Sequence, residues 1–147
     1  MNNKQAPLDI SKEEFRQVGH WLVDQIAEHF DTIGNKKVTQ GKTPKSVRDA
    51  LGRTAFPEHG AKPSEIVERA FHLLMDHSLL DGHPNFWGYI IGSGTQIGTL
   101  ADMLAATINP NMGGWELAPM ASEIERQTVQ WIAEWVDYPQ DCGGLLV

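Results

Sequence analysis

The sequence predicts a mainly α-helical chain. Apolar residues recur three or four positions apart through several long runs, which is the spacing of one helix face. A capping signal or a proline stands before most of these runs, where helices begin. Only two short apolar stretches resemble strands, which is too few for a stable sheet.

The first predicted helix covers residues 12–33. Ser11 and Glu14 have the spacing of a capping box, in which each side chain satisfies a free backbone amide. The apolar face that follows is formed by Phe15, Val18, Leu22, Ile26, Phe30 and Ile33, widened by Trp21 and Val23. A face of this size favours a packing partner, because each fully buried large apolar side chain contributes roughly 1.5–3 kcal/mol.

The later elements are spaced by irregular segments. Residues 35–62 are irregular apart from a short helix at 46–51, and stretches of this length usually have a function or lie along another surface. The other predicted elements, in chain order, are a helix at 63–79, an extended segment at 85–91, a helix carrying Ile97 to Ile108, a helix that starts at Pro119 and stops before Pro139, and half of a buried strand at 143–147.

Composition excludes several classes of function. The chain of 147 residues has a net charge of −7 and no basic stripe, so we expect no nucleic-acid partner. Its first residues contain no apolar core segment, so we expect no secretory signal. No apolar run approaches the length that spans a bilayer, so we expect no membrane partner. The single cysteine, Cys142, is typical of a reducing compartment, and we expect the protein to be cytoplasmic.

Local motifs do not identify catalytic chemistry. Gly92-Ser93-Gly94 is not followed by a third glycine at the position that a dinucleotide fingerprint requires. The segment is therefore either a tight turn or a helix start that faces a substrate carboxylate. His72 and His77 diverge on a helix, so we expect no metal site and interpret the histidines as solvated or singly hydrogen-bonded. Cys142 lacks a neighbouring base, which disfavours a catalytic thiol. The unpaired strand at 143–147 indicates a piece of something larger.

The order of motifs from residue 83 onward resembles that of the group II pyridoxal-phosphate-dependent decarboxylases. This family includes the aromatic-amino-acid, tyrosine, histidine and glutamate decarboxylases. The residues that carry the resemblance are His83, Pro84, Phe86, Gly88, Tyr89, Ala101 to Leu104, Asn109, Asn111, Trp115, Pro119, Glu123, Glu125, Trp131 and the ending Cys-Gly-Gly-Leu-Leu-Val.

The resemblance implies an N-terminal helical segment that leads into the α/β large domain of a fold-type I pyridoxal-phosphate enzyme. Residues 1–82 would form the dimerisation segment of a homodimer, and residues 83–147 the incomplete start of the large domain. Substrate-binding residues would be Tyr89, Ile91 and Gly92 in a first loop, with Asn111 and Gly113 in a second loop that reaches the neighbouring subunit's pocket.

The cofactor implied by the resemblance is pyridoxal 5′-phosphate, and the substrate is a small amino acid that loses its carboxyl group. All seven lysines precede residue 63, and none has the family's lysine context. We therefore expect no catalytic, cofactor-binding or metal-binding residue in this chain, which alone would be inactive. The remainder of the enzyme would hold the cofactor.

Two departures from the family pattern bear on the substrate. Ile90-Ile91-Gly92 stands where aromatic-amino-acid decarboxylases have Phe-Pro-Thr, and Asn111 and Gly113 replace a bulky apolar residue and a phenylalanine. The looser, more polar second loop favours a substrate other than an aromatic amino acid. The alternative hypotheses are a non-catalytic helical interaction module and a related enzyme of the same fold with a different reaction.

Overall fold

The computed structural model describes residues 9–52, 55–139 and 141–146. These residues form five α-helices, which are α1 (Lys12–Thr32), α2 (Pro44–Leu51), α3 (Pro63–His77), α4 (Gln96–Ile108) and α5 (Pro119–Trp135), with 3₁₀ turns at Ile33–Asn35 and Trp115–Leu117. No strand occurs within the described ranges, so the prediction of a mainly α-helical chain is confirmed.

The helix starts have the local causes that the sequence indicates. The Ser11 side chain accepts a hydrogen bond from the Glu14 amide, which caps α1. The short second helix begins two residues before the predicted residue 46. Its reciprocal capping box joins Thr43 and Ser46, and Pro44 occupies the first turn, where its missing N–H costs nothing.

Two predicted extended segments are wrong. In the stretch 85–91 the chain bends, and Tyr89 has a left-handed φ of 63°, which ends any strand. Residues 143–146 are also not a strand, while Val147 lies outside the described residues. A strand needs a neighbouring strand for its amides, whereas here the Leu146 amide donates to the Glu125 carboxylate at 3.0 Å.

The chain divides into two compact units, residues 1–96 and 97–147. In the first unit α1 packs on α3, and the rings of Trp21 and Phe71 meet in a T-shaped arrangement with their centroids 5.7 Å apart. Helix α2 is joined to α3 by a hydrogen bond of 2.8 Å from the Arg69 guanidinium to the Leu51 carbonyl.

The second unit contains α4, the turn Trp115–Leu117 and α5. Helix α4 is followed by Asn109 at φ 48°, a left-handed residue of the kind that terminates helices. Helix α5 ends similarly, with Asp137 at φ 56° and the Tyr138 amide bonded to the Ala133 carbonyl at 2.8 Å.

Few apolar side chains are buried. Among the described residues the buried hydrophobic positions are Leu80, Ala118 and Ala133. Large apolar side chains that stay exposed include Phe15, Leu74, Ile97, Leu104, Ile108, Trp131 and Trp135. A monomeric globular protein rarely leaves so many large apolar groups in water, so these faces have the character of interaction surfaces.

Candidate functional site

The first loop that the sequence singles out, residues 83–95, starts at a buried histidine. His83 is 5% exposed, and its Nε2 lies 3.0 Å from the Lys36 carbonyl oxygen just after α1. Its Nδ1 accepts a hydrogen bond of 3.0 Å from the Asn85 amide. Nδ1 is therefore unprotonated, and Nε2 carries the proton that is donated to Lys36.

Neighbouring contacts join the same two segments. The Leu80 amide donates to the Val38 carbonyl at 2.9 Å, and Leu80 is 7% exposed. A side chain at Gly34 would meet the Pro84 ring at 3.5 Å, and one at Gly82 would meet Ile33 Cδ1 at 3.3 Å. The chain that leaves α1 therefore packs against the start of the first loop, and His83 and Leu80 lie at the centre of this contact.

Beyond this contact, Phe86 shapes the loop. Its amide donates to the His83 carbonyl at 2.8 Å. The ring then folds back under the main chain, because a Cβ at Gly88 would lie only 3.2 Å from Phe86 Cε2. Glycine at 88 thus permits the close approach, and Phe86 also meets the Tyr89 ring with centroids 6.3 Å apart.

The three site residues predicted in this loop all lie on the surface of the first unit. Tyr89 is 84% exposed, Ile91 is exposed, and Gly92 has no atom near the position that a Cβ would take. The left-handed φ of Tyr89 is unusual for a bulky residue.

The second loop, residues 109–118, contains the other two predicted site residues. The Asn111 side chain accepts a hydrogen bond of 2.9 Å from the Gly113 amide, which is an Asx turn. A Cβ at Gly113 would lie 3.0 Å from Asn111 Oδ1, so the turn favours the smallest residue there. Asn111 therefore shapes its own loop in this structure.

Trp115 and Glu123 connect this loop to α5. The indole Nε1 donates to Glu123 Oε1 at 3.1 Å, and Arg126 Nε donates to Glu123 Oε2 at 2.9 Å. The hydrogen bond and charge of Arg126, together with the hydrogen bond from Trp115, lower the pKa of the exposed Glu123 carboxyl below its usual value.

Sequence reasoning missed the role of His83. The interpretation of the histidines as solvated or singly hydrogen-bonded is wrong for this residue, which is buried and bonded through both ring nitrogens. The interpretation as singly hydrogen-bonded holds for His29, whose Nδ1 lies 3.3 Å from Lys36 Nζ. The available signal was the pair His83-Pro84 directly before the loop, but the partner on Lys36 is 47 residues away in sequence.

Metal ligands do not converge in the part of the chain that the structure describes, where no group of His, Cys, Asp and Glu side chains is arranged to hold an ion. Within the same residues no helix is both long and apolar enough to cross a bilayer.

Comparison with known proteins identifies the family. Residues 44–145, more than half of the 147-residue chain, match the family model described as the pyridoxal-dependent decarboxylase conserved domain. The chain belongs to the pyridoxal-dependent decarboxylase family. The resemblance that the motif order indicated is therefore confirmed.

Relatives in this family have similar sequences along nearly the whole chain. An aromatic-L-amino-acid decarboxylase of Bacillus atrophaeus is 29% identical over 140 residues, which is 95% of this chain and 29% of that protein. The L-tyrosine/L-DOPA decarboxylase 2 of Lophophora williamsii is 29% identical over 152 residues, covering 96% of this chain and 28% of that protein. The chain thus spans less than a third of the length of these relatives, in their N-terminal portion.

Solved structures share the fold. The TDC of Oryza sativa, solved with PLP and tryptamine, matches 92% of this chain and 28% of that chain, with a TM-score of 0.78 and 21% identity. The tryptophan decarboxylase of Catharanthus roseus, solved with L-tryptophan, matches the same shares with a TM-score of 0.76 and 24% identity. The expected N-terminal helical segment of a fold-type I enzyme is confirmed by these neighbours.

The described lysines do not lie in surroundings that suit the pyridoxal phosphate on which the family depends. An imine-forming lysine is activated by an apolar pocket or a neighbouring cation. The six lysines within the described residues are all exposed, and Lys45 and Lys62 are paired with Asp49 and Glu65 at the surface. We therefore assign no chemical step on the cofactor to the described lysines.

Proposed function

We propose that this chain is the N-terminal part of a pyridoxal-phosphate-dependent amino-acid carboxy-lyase that acts as a homodimer in the cytoplasm. The observation that carries the proposal is the family match over residues 44–145. In this arrangement residues 1–82 are a dimerisation segment and residues 83–147 begin the large domain. The cofactor, which supplies the chemistry of decarboxylation, is held by the remainder of the enzyme.

The dimer is supported by the exposed apolar faces. Helix α4 has no buried residue, and its Ile97, Leu104 and Ile108 are all more than 60% exposed. Because burial of each such side chain contributes roughly 1.5–3 kcal/mol, these faces favour coverage by a second copy and by the remainder of the enzyme. The single cysteine supports the reducing compartment.

The two loops are proposed as walls of the substrate pocket. Tyr89, Ile91 and Gly92 would line the pocket of their own subunit, and Asn111 and Gly113 that of the neighbour. The exposure of Tyr89 and Ile91 and the open space at Gly92 support this role, because these groups are free to meet a ligand. The relatives' names specify aromatic-amino-acid, tyrosine and DOPA substrates. The polar Asn111 and the small Gly113 favour a different amino acid here.

The decisive experiment measures carbon dioxide release by the full natural polypeptide that carries this chain, purified with pyridoxal phosphate. Each standard L-amino acid and L-DOPA is supplied in turn, and light scattering gives the oligomeric state. We expect release from one or a few amino acids by a dimer. The isolated 147-residue chain, tested as the control, should release none. Failure of the full polypeptide on every amino acid would contradict the proposal and favour a non-catalytic helical module or a different reaction.

A further inference from the structure

The buried histidine His83 is the strongest feature that the proposed function leaves unexplained. It is the one buried polar residue among those described, and it lies between the end of α1 and the first pocket loop. Its Nε2 reaches the Lys36 carbonyl and its Nδ1 the Asn85 amide, each at 3.0 Å. A buried polar side chain is stable only when its hydrogen bonds are made, and here both ring nitrogens are used.

We propose that His83 is a positioning residue for the first pocket loop, acting as a neutral bridge between that loop and the chain that follows α1. The ring itself touches no ligand. Its Nδ1 closes the turn at Asn85, and its Nε2 fixes this turn to Lys36. The kinetic consequence of this bridge rests on the proposed function, whereas its effect on the loop does not.

The contacts beyond His83 explain how the bridge reaches the pocket wall. Phe86 is bonded to the His83 carbonyl, its ring lies under Gly88, and it meets Tyr89. Tyr89 also has a left-handed backbone, which a bulky residue adopts only when its surroundings impose it. The bridge therefore supplies the fixed base from which the Tyr89 conformation is held.

Backbone hydrogen bonds near His83 do not make the ring redundant. The Leu80 amide bonded to Val38 joins the same segments, but it lies before the turn. Only the ring bonds both the Asn85 amide after the turn and the Lys36 carbonyl. Loss of the ring should loosen residues 84–92 while α1 and α3 stay packed through Trp21 and Phe71.

Two conservative variants separate the bonds. In His83→Asn the amide oxygen can replace Nδ1 as acceptor for Asn85, but nothing reaches Lys36. In His83→Gln the amide nitrogen can replace Nε2 as donor to Lys36, but the turn loses its acceptor. His83→Ala removes both bonds, and His59→Gln at an exposed position of the first unit is the matched control.

The first measurement is hydrogen–deuterium exchange of the full natural polypeptide, followed in peptides that cover residues 84–92 and 109–117. We expect His83→Ala to speed exchange in 84–92 by about tenfold, the equivalent of one net hydrogen bond. His83→Gln should speed it at Asn85, and His83→Asn should keep that amide protected. Peptide 109–117 and the His59→Gln control should match the wild type.

The second measurement is steady-state kinetics on the substrate found for the enzyme. We expect His83→Asn and His83→Gln each to raise KM several-fold with kcat changed by less than about threefold, because a misplaced pocket wall weakens binding before it alters chemistry. Wild-type KM and wild-type exchange in both variants would overturn the proposal, even if His83→Ala fails to fold. A decrease in kcat that only follows the decrease in the folded fraction of the variant would also overturn the proposal. If the polypeptide decarboxylates nothing, the proposed function fails, and the exchange data alone still decide the role of His83.

Discussion

The indole Nε1 of Trp115 donates a hydrogen bond of 3.1 Å to Glu123 Oε1, which attaches the second loop to the first turns of α5. The other carboxylate oxygen accepts from Arg126 at 2.9 Å, and Arg126 in turn donates to Gln130 at 3.2 Å. The loop is therefore held by a chain of polar contacts along one face of a helix, and Trp115 itself remains 57% exposed.

Substitution of Trp115 should test this attachment. In the full natural polypeptide we expect Trp115→Ala to weaken dimer association or substrate affinity, because the loop loses its contact with α5, while bound pyridoxal phosphate is retained. Sedimentation equilibrium, KM and cofactor absorbance measure the three quantities. Trp135→Ala, at the far end of α5 and 88% exposed, is the comparison for loss of an indole ring. Wild-type association and KM in Trp115→Ala would contradict the role of the loop.

The attachment through the Glu123 carboxylate should be lost only at low pH. The folded state lowers the pKa of this carboxyl, chiefly through the hydrogen bond from Arg126. The attachment is therefore fully present above the unfolded pKa of about 4.3 and is lost as pH falls through the lowered value. In the wild type, loss of the attachment at low pH should change the indole fluorescence. We expect Glu123→Gln to abolish this change, with Glu134→Gln as control. An identical acid transition in Glu123→Gln would assign the titration to another group.

Substitution by alanine should destabilise the protein at Gly144 but not at the adjacent Gly143. A Cβ at Gly144 would lie 2.8 Å from Val129 Cγ1 on α5, whereas one at Gly143 would meet no atom within 4 Å. Because Val129 is β-branched and stiff in a helix, Gly144→Ala should destabilise the docked segment by about 1–3 kcal/mol. Gly143→Ala should be neutral within about 0.5 kcal/mol. Thermal unfolding of the full polypeptide measures both, and equal effects would show that the segment does not pack on α5.

The Asn111 turn should couple to Gly113. A Cβ at Gly113 would press on Asn111 Oδ1 at 3.0 Å, so Gly113→Ala should shift the turn and change KM. Asn111→Ala removes the oxygen that this Cβ would press on. The effect of the double variant on the free energy calculated from KM should therefore differ from the sum of the two single effects by at least about 0.5 kcal/mol. Gly114→Ala, where the nearest atom would be 3.8 Å away, is the control. Additive effects in the double-mutant cycle would exclude this coupling.

His29 near the end of α1 should titrate below its usual range. Partial burial, and then the charge of Lys36, lower the pKa of this imidazole. The associated stability is fully present above the unfolded pKa of about 6.5 and is lost as pH falls through the lowered folded value. We expect Lys36→Met to raise the pKa of His29 in an NMR titration, with Lys37→Met as control. An unchanged pKa in Lys36→Met would exclude the contribution of this charge.

The sequence alone determined the helices and the family. Helix boundaries follow from local causes, such as Ser11 before α1 and Pro63 at the start of α3, because capping and proline geometry act within one turn. The motif order from His83 to Glu125 was enough to indicate the family, since it is a property of the sequence itself.

Tertiary structure decided what the motif residues do. Neither the bond from His83 to Lys36, 47 residues away, nor the bond from the Leu146 amide to Glu125 has a periodic signal in the sequence. At Leu146 the Glu125 side chain satisfies the amide that a neighbouring strand would otherwise pair. Contacts between distant segments depend on how the chain folds back, and local patterns do not carry that information.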